Sequence, residues 1–172
     1  MRDVSPHVAL IGLPGVGKST VAVPLALRRG VRAVDLDELI MEGAGRSIRE
    51  IFAQEGEVAF RRLETETLAL LLAGDEQLVL SCGGGVVLAP ENRRVLKRRA
   101  CCVWLKADVA VLAQRLRHNP STRPLLADDL DTSLNRLAEE RDELYRDAAD
   151  VIVDVSDLEP SAVVDRVLAA VP

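Results

Sequence analysis

Short runs of aliphatic residues alternate along the chain with longer stretches in which apolar positions recur every three or four residues. The aliphatic runs predict five strands, at residues 8–11, 33–36, 77–82, 101–105 and 151–155. The amphipathic stretches predict helices at residues 18–29, 37–41, 48–53, 57–73, 91–98, 109–116, 133–146 and 161–170. Repeated strand–helix units favour an α/β fold, in which helices cover both faces of a parallel sheet.

Local signals mark the ends of several elements. Ser47 and Glu50 form a capping box, so a helix should begin directly after Ser47. Pro160 fits the first position of the last helix. Residues 42–46 contain two glycines that interrupt the helical pattern. Residues 118–131 form a long loop with two prolines, and loops of this length often act as lids over a functional site.

Length and composition restrict the class of protein. A chain of 172 residues fits one domain, which we expect to span residues 1–172. Hydrophobic residues make up 48% of the chain but aromatic residues only 2%, so the core must be aliphatic, as in buried parallel strands. The net charge of −5 excludes a global basic field and predicts no nucleic-acid partner.

The same features predict location and assembly. No apolar run approaches the roughly 20 residues of a membrane span, which predicts no membrane association. Cys82, Cys101 and Cys102 are odd in number and lack a C-x-x-C spacing, so we expect reduced core thiols in a cytoplasmic protein. No apolar stripe is left over once the elements are assigned, which favours a monomer.

Residues 12–20 read GLPGVGKST and contain the P-loop pattern G-x-x-x-x-G-K-[ST]. Glycines allow backbone N–H groups to approach a phosphate chain closely, and an aliphatic strand before and a helix after the loop provide the required context. The pattern therefore predicts a nucleoside triphosphate site, although a chance match without a nucleotide role is an alternative. The predicted phosphate-binding residues are Gly12, Gly15, Val16, Gly17, Lys18, Ser19 and Thr20.

Two carboxylates follow the second predicted strand. Asp35 and Asp37 are two residues apart, so in a strand both leave the chain on the same side. Beside a triphosphate, one of them can hold Mg²⁺ and the other can accept a proton from a substrate hydroxyl. The third strand ends without the Asp that anchors Mg²⁺ in many P-loop proteins, which favours Asp35 for that role. The alternative is a solvated strand end with Asp37 as a helix N-cap.

Other chemistry-bearing residues follow the third strand and lie on the longest helix. Gly83, Gly84 and Gly85 allow a ligand to approach the backbone closely, although a flexible turn is an alternative. Arg61 shares a helix face with Glu57 and Glu64 and can act as a carboxylate clamp that these acids steady. A solvated, salt-bridged face is the alternative interpretation.

Two further arginines are candidates for binding anions. Arg123 lies in the long loop, and an arginine delivered by a closing loop suits the charge on a transferring phosphoryl group. Arg141 lies in the next helix, and a guanidinium matches a carboxylate better than an ammonium does. Each of them, taken alone, also fits a surface residue.

These pieces together resemble shikimate kinase. The matching segments, which span nearly the whole chain, are GLPGVGKST, DLD, GRSIREIFAQEGEVAFRRLE, GGGVV, RPLL and an arginine before LYR. The resemblance implies a P-loop fold of the nucleoside-monophosphate-kinase type, with a five-stranded parallel sheet and a mobile lid at about residues 117–131. It also implies transfer of the ATP γ-phosphoryl group to the 3-hydroxyl of shikimate.

On the ATP side, the resemblance implies that Lys18 and its loop hold the phosphates and that Ser19 and Asp35 surround Mg²⁺. It implies that Arg123 comes from the lid to the γ-phosphate. For the adenine ring, Arg117 and Pro160 are the matching candidates, with Arg115 as an alternative to Arg117.

On the acceptor side, residues 37–65 are implied to form the substrate-binding region. Asp37 would orient the attacking hydroxyl and accept its proton, while Arg61 and Arg141 would grip the shikimate carboxylate. The other implied pocket residues are Gly83, Gly84, Gly85, Phe52, Phe60 and Glu64.

Two other functions compete with this one. A related kinase for another polyol acid or a cyclitol is the first, but a neutral cyclitol needs no pair of arginines such as Arg61 and Arg141. An ATP-binding regulatory module without turnover is the second, but such a module needs neither Asp37 nor an arginine in the lid.

Overall fold

The computed structural model describes residues 7–118 and 129–172. Its strands are β1 (His7–Ile11), β2 (Arg32–Asp35), β3 (Leu78–Ser81), β4 (Ala100–Lys106) and β5 (Val151–Asp154). Its helices are α1 (Lys18–Arg29), α2 (Leu36–Ala44), α3 (Ile48–Ala73), α4 (Pro90–Arg99), α5 (Val109–His118), α6 (Leu130–Ala148) and α7 (Pro160–Ala170). Each predicted strand is present, and the predicted α/β class is confirmed.

The five strands form one parallel sheet in the order β2-β3-β1-β4-β5. Leu10 of β1 pairs with Ser81 of β3 on one side and with Val103 of β4 on the other. All carboxyl ends therefore meet at one edge, where ligands of open α/β sheets bind. This edge holds the P-loop after β1, the carboxylates after β2 and the glycines after β3.

Aliphatic side chains fill the core between the sheet and its helices, as the low aromatic content predicts. Every residue of β1 and β3 is buried, because helices cover both faces. Trp104 and Tyr145 are the two largest fully buried side chains of the described residues. The three cysteines are free and buried, as predicted.

The end of β2 differs from the prediction. The strand stops at Asp35 and α2 begins at Leu36, because the Asp35 carboxylate accepts the backbone N–H groups of Asp37 (3.0 Å) and Glu38 (3.3 Å). Asp37 therefore lies in the first turn of a helix and does not follow Asp35 along a strand. The alternative that Asp37 itself caps the helix is also wrong, since Asp35 is the cap.

The longest helix contains the predicted interruption. Ser47 caps α3 through the capping box with Glu50, as predicted. Gly56, at φ 82° and ψ 175°, breaks the helical geometry between the two stretches that were predicted as separate helices. Across residues 42–46 the outcome is different, because α2 continues through the first glycine and ends at Gly45 in the left-handed region. In the part of the chain that the structure describes, no helix combines the length and apolarity of a membrane span.

Candidate active site

The P-loop connects β1 to α1 and depends on three glycines with positive φ. Gly12, Gly15 and Gly17 have φ values of 145°, 81° and 98°. A Cβ at Gly12 would lie 2.4 Å from the Leu105 carbonyl oxygen, so this glycine also allows the loop to pack against β4. No side chain caps the start of α1, and its first N–H groups point toward the loop, as an anion site requires.

The ammonium group of Lys18 folds over the P-loop. Its Nζ donates to the carbonyl oxygens of Gly12 (2.8 Å) and Leu13 (3.0 Å). Burial lowers the pKa of Lys18 to about 8, and the nearby carboxylates of Asp37 and Asp35 oppose that shift. The two carbonyl oxygens compensate the positive charge of the ammonium group only in part. A bound triphosphate would supply the full negative charges that this group can pair with.

Three oxygen-bearing side chains meet beside the start of α1. Ser19 Oγ donates to Asp35 Oδ2 at 2.7 Å and lies 3.1 Å from Ser81 Oγ. Strand pairing places Asp35 directly opposite Ser81. Hydroxyl and carboxylate oxygens are ligands that Mg²⁺ prefers, so these residues fit the cation that the sequence predicts here. Ser81 was not predicted, since a serine carries no metal signal of its own.

Asp37 lies beside the loop formed by Gly83, Gly84 and Gly85, which we call the glycine loop. A Cβ at Gly83 would lie 2.8 Å from Asp37 Oδ1 and 3.3 Å from Glu64 Oε1. Asp37 Oδ1 is buried and has no hydrogen-bond partner among the described residues. Burial is the main cause that raises the pKa of Asp37, and the charge of Asp35 adds to it. The carboxylate is thus a strengthened base with a free acceptor atom.

Arg61 is held between two acids on α3. Its Nη2 lies 3.2 Å from Glu57 Oε1, and its Nη1 donates to Glu64 Oε2 at 2.9 Å. The Glu64 side chain is 1% exposed, and burial raises its pKa. The alternative of a solvated, salt-bridged helix face accounts for the two ion pairs of Arg61. It does not account for its burial, since the Arg61 side chain is only 22% exposed.

The two candidate clamp arginines lie against the same loop. A Cβ at Gly85 would lie 2.4 Å from the Arg61 guanidinium nitrogens, and one at Gly84 would lie 3.4 Å from Arg141 Nη1. Arg141 Nε is buried and has no hydrogen-bond partner among the described residues. The fold therefore brings together two guanidinium groups that are 80 residues apart in sequence, from Arg61 to Arg141.

Two aromatic rings support this arrangement. Phe52 and Phe60 lie on either side of the Gly56 break, with ring centroids 4.9 Å apart. The Arg61 guanidinium carbon is 5.2 Å from the Phe60 centroid. The Arg61 guanidinium therefore lies over the Phe60 ring, an arrangement that is favourable for a cation, and Phe52 packs against Phe60.

A cavity of about 510 Å³ extends from the P-loop along α5 and α7. Its lining contains the P-loop residues Gly15 to Thr20 and the predicted Pro160. Arg115 also lines it and donates to the carbonyl oxygens of Val16 (3.4 Å) and Val155 (3.0 Å). Among the described residues, Arg117 is not part of this lining and forms an ion pair with Asp131, and its contact with ATP stays a prediction. The two arginines are two residues apart on α5, so their side chains leave the helix about 200° apart.

The backbone after β3 has supports that the sequence did not predict. Tyr145 donates its hydroxyl hydrogen to the Gly84 carbonyl. Asn92 donates to the Val86 carbonyl at 2.9 Å, and Arg93 donates to the Val87 carbonyl at 2.6 Å. The alternative of a flexible turn is therefore not what the structure shows, since the carbonyl groups of this loop are held by side chains. Only Tyr145, which lies inside the LYR segment, belonged to a motif that sequence reasoning singled out.

Arg123 and residues 119–128 of the predicted lid lie outside the described residues. The roles proposed for them stay predictions.

Comparison with known proteins identifies the family. The shikimate kinase family model matches residues 14–172. A shikimate kinase of Microcystis aeruginosa is 44% identical over 167 residues, covering 96% of this chain and 86% of the relative. One of Geobacter metallireducens is 47% identical over 145 residues, covering 83% of this chain and 79% of the relative. The solved structure of the Acinetobacter baumannii shikimate kinase in complex with shikimate has a TM-score of 0.90 at 34% identity, covering 96% of this chain and 92% of that one. With its P-loop, its acidic and basic acceptor groups and a family match over nearly its whole length, this chain belongs to the shikimate kinase family.

Proposed function

We propose that this chain transfers the γ-phosphoryl group of ATP to the 3-hydroxyl of shikimate, producing shikimate 3-phosphate and ADP. The observation that carries the proposal is the convergence of Asp37, Arg61 and Arg141 on the glycine loop at residues 83–85. One carboxylate acceptor and two guanidinium donors match a substrate that has hydroxyls and one carboxylate. The P-loop lies at the same edge of the sheet and supplies the donor half of the site.

Binding of ATP follows from the P-loop and the adjoining cavity. The N–H groups at the start of α1 and the Lys18 ammonium would hold the phosphates, while Arg115 and Pro160 would flank the adenine ring. Ser19 and Asp35 would hold Mg²⁺, which when bound neutralises charge on the phosphate oxygens.

Binding of shikimate follows from the acceptor groups. Arg61 and Arg141 would hold the carboxylate. The Phe60 ring lies against the Arg61 guanidinium, and Phe52 packs against the Phe60 ring. Glu64 orients Arg61 through their 2.9 Å bond. The lack of side chains at residues 83–85 allows Asp37, Arg61 and Arg141 to approach the loop backbone closely and so to meet at one place.

The transfer step uses Asp37 as the base. As the 3-hydroxyl oxygen bonds to the γ-phosphorus, its proton passes to the Asp37 carboxylate, and the bond from the γ-phosphorus to the bridging oxygen breaks to release ADP. Positive charge from Lys18 stabilises the phosphoryl group during its transfer, and we propose that Arg123 of the lid adds to this charge. We also propose that the protein acts as a monomer in the cytoplasm.

The substrate is tested by measuring ADP release with shikimate, quinate, gluconate, neutral cyclitols and nucleoside monophosphates. We expect kcat/KM for shikimate to exceed that for the neutral cyclitols and the nucleotides by at least about 10²-fold, because compounds without the carboxylate cannot form charge-assisted hydrogen bonds with the two guanidinium groups. Equal turnover of a neutral cyclitol would refute the carboxylate clamp. ATP binding without turnover of any acceptor would favour the regulatory module.

The lowered pKa of Lys18 predicts how ATP affinity depends on pH. In the free protein the ammonium form is lost as the pH rises through about 8, and the triphosphate binds that form. We therefore expect the Kd for ATP to increase above this pH, toward about tenfold per pH unit, with uptake of a proton on binding. Calorimetric titrations in buffers of different ionisation enthalpy measure both quantities. Adenosine, which has no phosphates, is the control, and a Kd for ATP that stays constant up to pH of about 9 would contradict the prediction.

A further inference from the structure

We propose that Tyr145 is a positioning residue for the acceptor substrate, since it fixes the Gly84 peptide group relative to the Arg141 guanidinium. The inference rests on the proposed function of the site. Tyr145 lies in the matching LYR segment, but the sequence assigned it no role and the implied pocket residues do not include it. It does not touch the reacting atoms in this proposal and acts through Gly84 and Arg141.

The Tyr145 side chain is fully buried in α6, and its hydroxyl donates to the Gly84 carbonyl oxygen. Burial raises the pKa of the phenol, so the hydroxyl stays protonated and remains a donor at the pH values at which a kinase works. The bond joins the middle glycine of the loop to helix α6. The peptide group is planar and trans, so a fixed Gly84 carbonyl also fixes the direction of the Gly85 N–H.

Arg141 lies on α6 four residues before Tyr145, which places both side chains on one face of the helix. Arg141 Nη1 lies 3.4 Å from the Cβ position of Gly84, the same residue whose carbonyl Tyr145 holds. The guanidinium and the hydroxyl thus meet the loop at one residue. Arg141 Nε is buried without a partner among the described residues, which leaves a donor that the substrate carboxylate can use.

Trp104 packs against the ring of Tyr145. Its ring stacks on Tyr145 with centroids 5.6 Å apart, and it is 1% exposed in β4. The stack leaves Tyr145 little freedom to change rotamer, because buried rings are closely packed. Helix α6 therefore presents Arg141 and the Gly84 peptide group to the substrate as one preorganised unit.

The proposal is tested with Tyr145→Phe, which removes the hydroxyl and keeps the ring. We expect KM for shikimate to increase by about 3–10-fold, with kcat and the KM for ATP changed by less than about twofold, since the lost bond orients groups that bind the acceptor. A merely structural role would change both KM values or neither. Far-ultraviolet circular dichroism and the emission of Trp104, the single tryptophan of the chain, check that the variant is folded.

Arg146→Gln is the matched control. The Arg146 guanidinium lies 5.8 Å from the Trp104 ring centroid, and the side chain is 55% exposed. The substitution therefore perturbs the same aromatic stack without removing a bond to the glycine loop. We expect both KM values of this variant to match those of the wild type.

A second measurement does not depend on a substitution. The chain has one tyrosine, so 3-fluorotyrosine incorporation yields a single ¹⁹F resonance from residue 145. We expect shikimate to shift this resonance, and adenosine to leave it unchanged. An unchanged KM for shikimate in Tyr145→Phe, or a resonance that shikimate does not move, overturns the positioning role. The wild-type turnover measured in parallel tests the proposed function separately, since an active wild type with an unaffected variant refutes only the role of Tyr145.

Discussion

Replacing Asp37 with Asn is expected to lower kcat by about 10²–10⁴-fold, the usual contribution of a general base, while the affinity for ATP stays nearly unchanged. The amide has the size of the carboxylate but cannot accept the proton of the attacking hydroxyl. Asp37 Oδ1 has no partner among the described residues, so the substitution breaks no existing bond at that atom. The loss therefore falls on the chemical step and not on folding.

The pH dependence of the wild type gives the same prediction an independent check. Burial and the charge of Asp35 raise the pKa of Asp37, and the ionised form is the active base. We expect kcat/KM to fall as the pH decreases through this raised pKa of the free protein, and we expect Asp37→Asn to lose that acidic limb. Steady-state ADP release across the pH range measures both effects.

Glu38→Gln is the control for Asp37→Asn, because Glu38 is the next residue of α2 and is exposed. It removes one negative charge from the same turn of the helix and should leave kcat near the wild-type value. An Asp37→Asn enzyme with the kcat of the wild type would refute the role of Asp37 as the base.

Replacing Arg61 with Ala is expected to raise KM for shikimate by about 10²–10³-fold, with little change in the affinity for ATP. The change removes one of the two guanidinium groups beside the glycine loop. It also leaves the Glu64 carboxylate, which is 1% exposed, without its cation. A buried carboxylate without a partner is driven toward its neutral form, so part of the loss comes from a changed charge in the pocket.

Arg62→Ala separates this effect from the loss of any arginine on α3. The Arg62 side chain is 75% exposed and lies 3.5 Å from Glu66, so its removal should change the kinetics little. Initial rates with shikimate and ATP varied in turn provide the two KM values. A selective loss of ATP affinity in Arg61→Ala would place Arg61 in the donor half of the site and contradict the clamp.

Local patterns were sufficient for much of the fold. The capping box at Ser47 and the glycine pattern of the P-loop involve residues within a few positions of each other, so both are visible in the local sequence. The break at Gly56 agrees with the prediction of two separate helices at residues 48–53 and 57–73. The position of Asp37 was misjudged, because the capping bonds of Asp35 outweighed the strand pattern.

The site depended on contacts between residues far apart in sequence. Ser81 joins Ser19 and Asp35 only through the pairing of β2 with β3. Arg115 donates to the Val16 carbonyl of the P-loop while Arg117 pairs with Asp131, because the two side chains leave α5 on different faces. Arg117 has a partner, Asp131, that no local pattern predicted.

By itself, the sequence determined the succession of strands and helices along the chain, the phosphate-binding loop and the types of residue that could bind the acceptor substrate. These follow from short-range periodicity and local motifs. Only the tertiary structure decided that Arg61, Arg141 and Asp37 meet at the glycine loop, and that Tyr145 donates a hydrogen bond to the Gly84 carbonyl of this loop. The physical reason is that a parallel sheet gathers the ends of distant strands at one edge, and side-chain direction there depends on packing across the whole domain.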